Sequence, residues 1–179
     1  MSKTVQREFS VAEVVSISRF YNREVEKEET GEKSVLDRLS NLTRWNLKRN
    51  INEFRNTVDA FESYNEEMSE EIKSEWFFND EKADLIEEVM KDEEGNDILD
   101  ENGKPVTQEM RRIKEEFVDD YDEAMNIRDK RTLEVLSDVN TYSIKTSNIG
   151  DEIEKFIDEL TDEEFKNIAI LLFMDSTEK

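Results

Sequence analysis

The stretch LKRNINEFRNTVDAFESYNEEMSEEI, residues 47–72, decides the fold. Its apolar residues fall at Leu47, Ile51, Phe54, Val58 and Phe61, then at Met68 and Ile72. Spacings that alternate four and three put one apolar stripe on a helix, with the geometry of a coiled-coil-like seam. Asn65 takes a seam position beside Tyr64, where a polar residue can specify register. Upstream, Val35, Leu39, Leu42 and Trp45 keep nearly the same rule, and neither Gly nor Pro interrupts residues 32–94. The pattern predicts a helix of about 38 residues, roughly 57 Å long at 1.5 Å per residue. Such a stripe needs a partner.

The partner is expected beyond residues 92–106, DEEGNDILDENGKPV, which hold two of the four glycines and the only proline. Glu-Gly-Asn and Asn-Gly on either side of Asp97-Ile98-Leu99 predict tight turns around a short strand or irregular arm. Thr107 then opens a second helix, with Met110, Ile113, Phe117, Tyr121 and Ala124 or Met125 on one side. An antiparallel helical hairpin results, with the arm at its tip. Before it, Ser10 and Glu13 form a capping box, with Phe9 placed as a staple. That cap starts a helix through Val11, Val14, Val15, Ile17, Phe20, Tyr21 and Val25, which Gly31 ends. Ser34 restarts the pattern, with Asp37 three residues on. After the hairpin, Val139–Thr146 reads as one or two short strands, and helices follow from Asp151 and from the capping box at Thr161.

The expected fold is therefore mainly α: a long antiparallel helical hairpin with a small α/β C-terminal cap. Residues 1–131 hold the N-terminal helix and the hairpin, with its turn-rich arm at 92–106. Residues 132–179 hold short strands and two helices, in a single domain overall.

Composition narrows function. The 179 residues include no Cys and no His, with 47 acidic and 25 basic side chains, for a net charge of −22. The missing types exclude disulfides, thiolate or imidazole metal ligands, and triads built on histidine. No glycine-rich phosphate cradle is present. Hydrophobic residues are 35% of the chain, below the usual range, yet ten Phe, four Tyr and two Trp argue for a folded, thin core over a disordered tail. The N-terminus MSKTVQREFS lacks an apolar leader, and the longest apolar run, Ile168–Met174, is too short to span a bilayer.

The charge is unevenly placed. Residues 1–60 carry 11 basic and 10 acidic side chains, net +1, whereas residues 61–179 carry 14 and 37, net −23. Arg38, Arg44, Lys48, Arg49 and Arg55 form a basic strip on the long helix. Two readings fit it: a face for phosphates, or, preferred here, an internal match to Glu115, Glu116, Asp119, Asp120 and Glu123 of the second helix. The pairs Glu66-Glu67, Glu70-Glu71 and Glu87-Glu88 recur at helical spacing and form an acidic ridge. That ridge is a solvated face, a docking surface for a basic partner, or a mimic of DNA phosphates. Trp76, Phe77 and Phe78 cannot all face one stripe; they plug a helix end or serve as an aromatic anchor for a partner.

Chemistry-bearing motifs are otherwise weak. Asp100, Asn102, Gly103 and Glu109 follow part of the EF-hand pattern, but Ile98 stands where the first ligand belongs and Pro105 lies inside the loop. Turn chemistry explains them better. Asp119, Asp120, Asp122 and Glu123 are neighbours on a helix and diverge by ~100° per residue. Ser143 and Lys145 are a commonplace pair. No catalytic residue, metal ligand or cofactor site is assigned.

The layout resembles a family of small acidic proteins of tailed bacteriophages, helical hairpins with a DENGK-type turn. The shared features are the N-terminal helix and the long charged helix around Asn50–Phe54. The arm from Asp92 through Asp100-Glu-Asn-Gly-Lys-Pro-Val, the acidic second helix and the tail from Leu160 to Met174 complete them. The resemblance implies a phage-encoded helper or virion component. The expected function is non-enzymatic: a phage structural or assembly-associated protein that binds other proteins through its acidic surface, in the virion or the host cytoplasm. The alternative is an acidic DNA mimic that inhibits a host nucleic-acid-binding defence protein. The expected partner is a protein with a basic surface, other virion proteins among them. Direct nucleic-acid and membrane binding are not expected, and a homo-oligomer is admitted.

Overall fold

A computed structural model describes residues 3–146 of the chain. They are mostly helical, with one long helix and two small antiparallel sheets. Strand β1 (Lys3–Ser10) leads into helix α1 (Val11–Thr30), and a 3-10 turn follows at Val35–Arg38. Helix α2 (Asn41–Ile72) runs on into a π-helical turn at Lys73–Phe77. Strands β2 (Ala83–Val89) and β3 (Thr107–Ile113) pair with each other, α3 (Val118–Ser137) follows, and β4 (Val139–Thr146) pairs with β1. Two compact units result: residues 3–63 with 133–146, and Tyr64–Thr132. The expected helices from Asp151 and Thr161 lie outside the described residues.

In the first unit the local signals act as read. Ser10 Oγ accepts from Glu13 N–H at 3.2 Å and the Glu13 carboxylate accepts from Ser10 N–H at 2.9 Å, the reciprocal cap that starts α1. Gly31 ends the helix. Val14, Ile17 and Phe20 of α1 and Leu47 and Phe54 of α2 close on Phe9, Tyr142 and Ile144 of the sheet. Phe54 is fully buried and meets Phe9 and Tyr142 edge-on, at centroid distances of 5.6 and 4.9 Å. Such aromatic pairs add roughly 0.5–1.5 kcal/mol each beyond their buried area.

Polar side chains fix α2 against β4. Asn50, buried, donates from Nδ2 to the Lys145 carbonyl at 3.0 Å and accepts from the Lys145 N–H at 2.8 Å. Thr57 Oγ1 lies 2.8 Å from the Tyr142 hydroxyl. The Glu24 carboxylate, also buried, accepts from the Val35 N–H at 2.8 Å, the Ser34 hydroxyl at 3.2 Å and Lys27 Nζ at 2.7 Å. It thereby ties the 3-10 turn back to α1.

Four expectations are corrected. β1 was not foreseen; it pairs along its length with β4, Lys3 opposite Thr146 and Ser10 opposite Val139. Helix α2 has 32 residues and begins at Asn41, because Leu39 is extended and the Ser40 hydroxyl accepts from Thr43 N–H. Leu42 and Trp45 therefore leave the seam and stand on the opposite face, each 60% exposed. Thr107–Ile113 is a strand rather than the start of a helix, since the arm before it reverses the chain and sets Thr107 opposite Val89 and Ile113 opposite Ala83.

The arm in the second unit is a three-way junction. Met90 N–H donates to Val106 O, Ile98 N–H to Met90 O and Val106 N–H to Ile98 O, each at 2.8 Å, a closed ring of three bonds. Two small lobes spring from the ring, one bridged by Lys91 and Asp97, the other by Leu99 and Pro105. Their turns are copies of each other. Asp92 Oδ1 accepts from Glu94 and Asn96 N–H, and Asp100 Oδ1 from Asn102 and Lys104 N–H, at 2.8–2.9 Å. Gly95 and Gly103, at φ 86° and 75°, take the left-handed position that closes each turn.

Candidate functional site

The second unit gathers most of the residues singled out for partner binding. Residues 64–132 carry 24 acidic and 10 basic side chains, net −14. Five of the basic ones are already in ion pairs: Lys73 with Glu70, Lys82 with Glu75, Arg111 with Asp80, Arg112 with Glu88 and Lys114 with Asp84. Most carboxylates of this unit have no ion-pair partner among the described residues.

Glu66, Glu67, Glu70 and Glu71 stand exposed on the last two turns of α2, as a helical ridge requires. Glu87 and Glu88 do not extend it. They lie on β2, where consecutive side chains point to opposite faces of the hairpin, so the reading of three helical pairs is corrected to two.

The three aromatics divide in the same way. Trp76 is 4% exposed and packs edge-on against Tyr121 at 5.6 Å, with Lys82 Nζ 3.9 Å above its ring. Phe77 meets the same tyrosine at 5.7 Å. Only Phe78, 66% exposed with the Arg111 guanidinium 5.8 Å from its ring centre, is free to anchor a partner. The π-helical turn causes the split, because one extra residue in the turn rotates successive side chains out of α-helical phase. Arg111 secures the turn by donating to Phe77 O at 3.2 Å as well as to Asp80.

The basic strip lies in the first unit. Arg44 pairs with Glu28 at 2.6 Å. Burial raises the Glu28 carboxyl above its ordinary range; Arg44 opposes that, and Asp37 adds to it. Tyr21 beside them is also raised, first by burial and then by Glu28. Lys48, Arg49 and Arg55 are exposed and make no ion pair among the described residues.

Asp100, Asn102 and Gly103 build a turn, as read. The N–H of Lys104 first, then that of Asn102, holds the Asp100 carboxyl below its usual range; Asn96 does the same for Asp92. The matching eight-residue spacing of the two lobes was legible but missed: Asp92 and Asp100, Gly95 and Gly103. Also missed was a shallow groove of about 480 Å³ in the first unit, where Arg19 and Arg23 overhang Val15, Phe20, Phe61 and Leu136. The i, i+4 spacing of two arginines on one side of α1 was the available signal.

No protein-family model matches this chain, and no curated protein or solved structure matches it either.

Proposed function

We propose that the chain is a non-enzymatic protein-binding protein that engages a basic protein surface through its second unit. One observation carries this reading: exposed carboxylates at Glu66, Glu67 and Glu71, without an ion pair among the described residues, share a unit with the exposed Phe78. Charge supplies encounter and orientation, and a single aromatic side chain supplies the apolar anchor. The finer expectation of an antiparallel α2–α3 hairpin is supported by two contacts. Phe61 packs with Val135 and Leu136, and Arg128 Nη2 lies 3.4 Å from Ser69 Oγ. The resemblance to small acidic phage proteins supports a structural or assembly-associated role in the virion or the host cytoplasm. DNA mimicry is the weaker alternative, since the ridge keeps two carboxylate pairs rather than three.

The test is affinity capture from cells producing the full set of phage proteins. Wild type is compared with the quadruple variant E66Q/E67Q/E70Q/E71Q and with F78A. A basic partner retained by wild type and lost by both variants is the expected result. Equal capture by all three overturns the assignment of the surface. The virion role predicts a fixed copy number in purified particles, and absence of the chain from quantitative mass spectrometry of those particles overturns it.

A further inference from the structure

We propose that the exposed face of α2 docks the same face of a second copy, antiparallel, with its basic half on the acidic half of the other. This rests on the reading of the ridge as a protein-binding surface and names its occupant.

Helix α2 is unbroken from Asn41 to Ile72, so ~100° per residue fixes which side chains share a face. Leu47, Phe54 and Phe61 are buried on one side. The opposite side is exposed along its whole length, and its net charge changes from positive in the first half to negative in the second. Lys48, Arg49 and Arg55 occupy the first half without an ion pair among the described residues, together with the exposed Glu53, so that half is positive on balance. Glu62, Glu66, Glu67, Glu70 and Glu71 occupy the second, and of these only Glu70 has a described partner, Lys73. Asn56, Asp59, Ala60 and Ser63 lie between, short enough to let two helices approach.

A face that is positive at one end and negative at the other is complementary to itself only when reversed. Parallel pairing sets like charge on like. With a two-fold axis beside Asp59, Lys48 comes level with Glu70, Arg49 falls between Glu67 and Glu71, and Arg55 falls between Glu62 and Glu66. Each match lies on one side of the axis and occurs twice, as an isologous contact requires. Trp45, 60% exposed and otherwise without an evident purpose, comes level with Lys73, within the pairing expected of an indole and an ammonium. Asp59 meets its own symmetry mate, which supplies a diagnostic substitution. The charges that meet are closer than the Debye length of about 8 Å at physiological salt, so added salt weakens the pairing.

Sedimentation velocity of the full chain at 10–200 µM (an assay range set by the polar interface) reads the outcome. Wild type is expected to dimerise reversibly, with its dissociation constant raised about tenfold between 50 and 300 mM NaCl. Two charge-reversed chains, K48E/R49E/R55E and E66K/E67K/E70K, are each expected to lose self-association by tenfold or more. Mixed together, they are expected to form a heterodimer. D59N is expected to tighten the wild-type dimer. Far-UV circular dichroism verifies that each variant is folded. Monomeric wild type throughout the range, a dimer indifferent to either reversal, or folded reversed chains that do not pair on mixing would each overturn the proposal. A monomeric wild type that still captures a basic partner through Glu66–Glu71 overturns self-docking alone and leaves the proposed function standing.

Discussion

Replacing Asn50 with leucine tests how the first unit holds its sheet. Asn50 is 1% exposed and meets both backbone groups of Lys145. Leucine has the same branching as asparagine and is somewhat bulkier, so the substitution opens no cavity. It leaves one N–H and one C=O of β4 without their side-chain partner in a partly buried setting. Each orphaned group costs about 1–3 kcal/mol, partly offset by the apolar gain, so a net loss of about 2–4 kcal/mol is expected. Urea unfolding followed by circular dichroism measures it, as a fall in midpoint at constant slope. A loss below about 1 kcal/mol would refute the account, because the amide would then be no better than the methyl groups replacing it. N50D sharpens the test. Its carboxylate keeps the acceptor for Lys145 N–H but sets a negative charge against Lys145 O, and only the protonated form donates. The folded state therefore binds the proton more tightly than the unfolded state does, and the new group's pKa is raised on folding. Its deficit relative to wild type is expected to be smallest below the unfolded value of about 3.9 and to grow as pH rises through the raised one.

Four further outcomes follow from particular residues. Because burial raises the Glu28 carboxyl, wild-type stability is expected to fall as pH rises from the ordinary glutamate value through the raised one, and E28Q should remove that slope from pH-dependent unfolding. Asp92 and Asp100 are held low by backbone N–H groups, so NMR titration should find them ionising below other carboxylates, with amide protection of both lobes kept above that range and lost as pH falls through it. An added methyl at Gly95 or Gly103 meets nothing within 4 Å, so G95A and G103A should each weaken their own lobe by only the backbone cost, about 1–2 kcal/mol, read by hydrogen exchange. In W45F the remaining Trp76 should resist acrylamide quenching, whereas in W76F the exposed Trp45 should be quenched freely in chain diluted well below the range of self-association.

The local signals were the legible ones. A cap such as Ser10 with Glu13, or the stop at Gly31, is written in residues a few positions apart, and both act where they were read. The stripe Leu47, Phe54 and Phe61 was equally plain, because helical periodicity needs no knowledge of the partner. Non-local pairing was not legible. β1 offers only Val5 and Phe9 on its inward side, with Arg7 between them, and its partner β4 lies more than 100 residues away. Met110, Ile113 and Phe117 satisfy helical spacing, yet the turns at Asp92 and Asp100 impose an extended return on the first two. For the candidate site, sequence located the carboxylates and aromatics but not their exposure. The π-helical turn that separates Trp76 from Phe78 leaves no mark in composition or period.

The ring joining Met90, Ile98 and Val106 has equivalent corners, each giving one N–H and accepting at one carbonyl. A lobe leaves from one corner and returns at the next, so its length is decoupled from the alignment of β2 with β3. Excising residues 98–105 would let Val106 succeed Asp97 at the corner vacated by Ile98, an ordinary hairpin end on an unchanged stem. The arm is thus a modular attachment point, at which lobes can be exchanged, lengthened or lost without disturbing the frame that carries them.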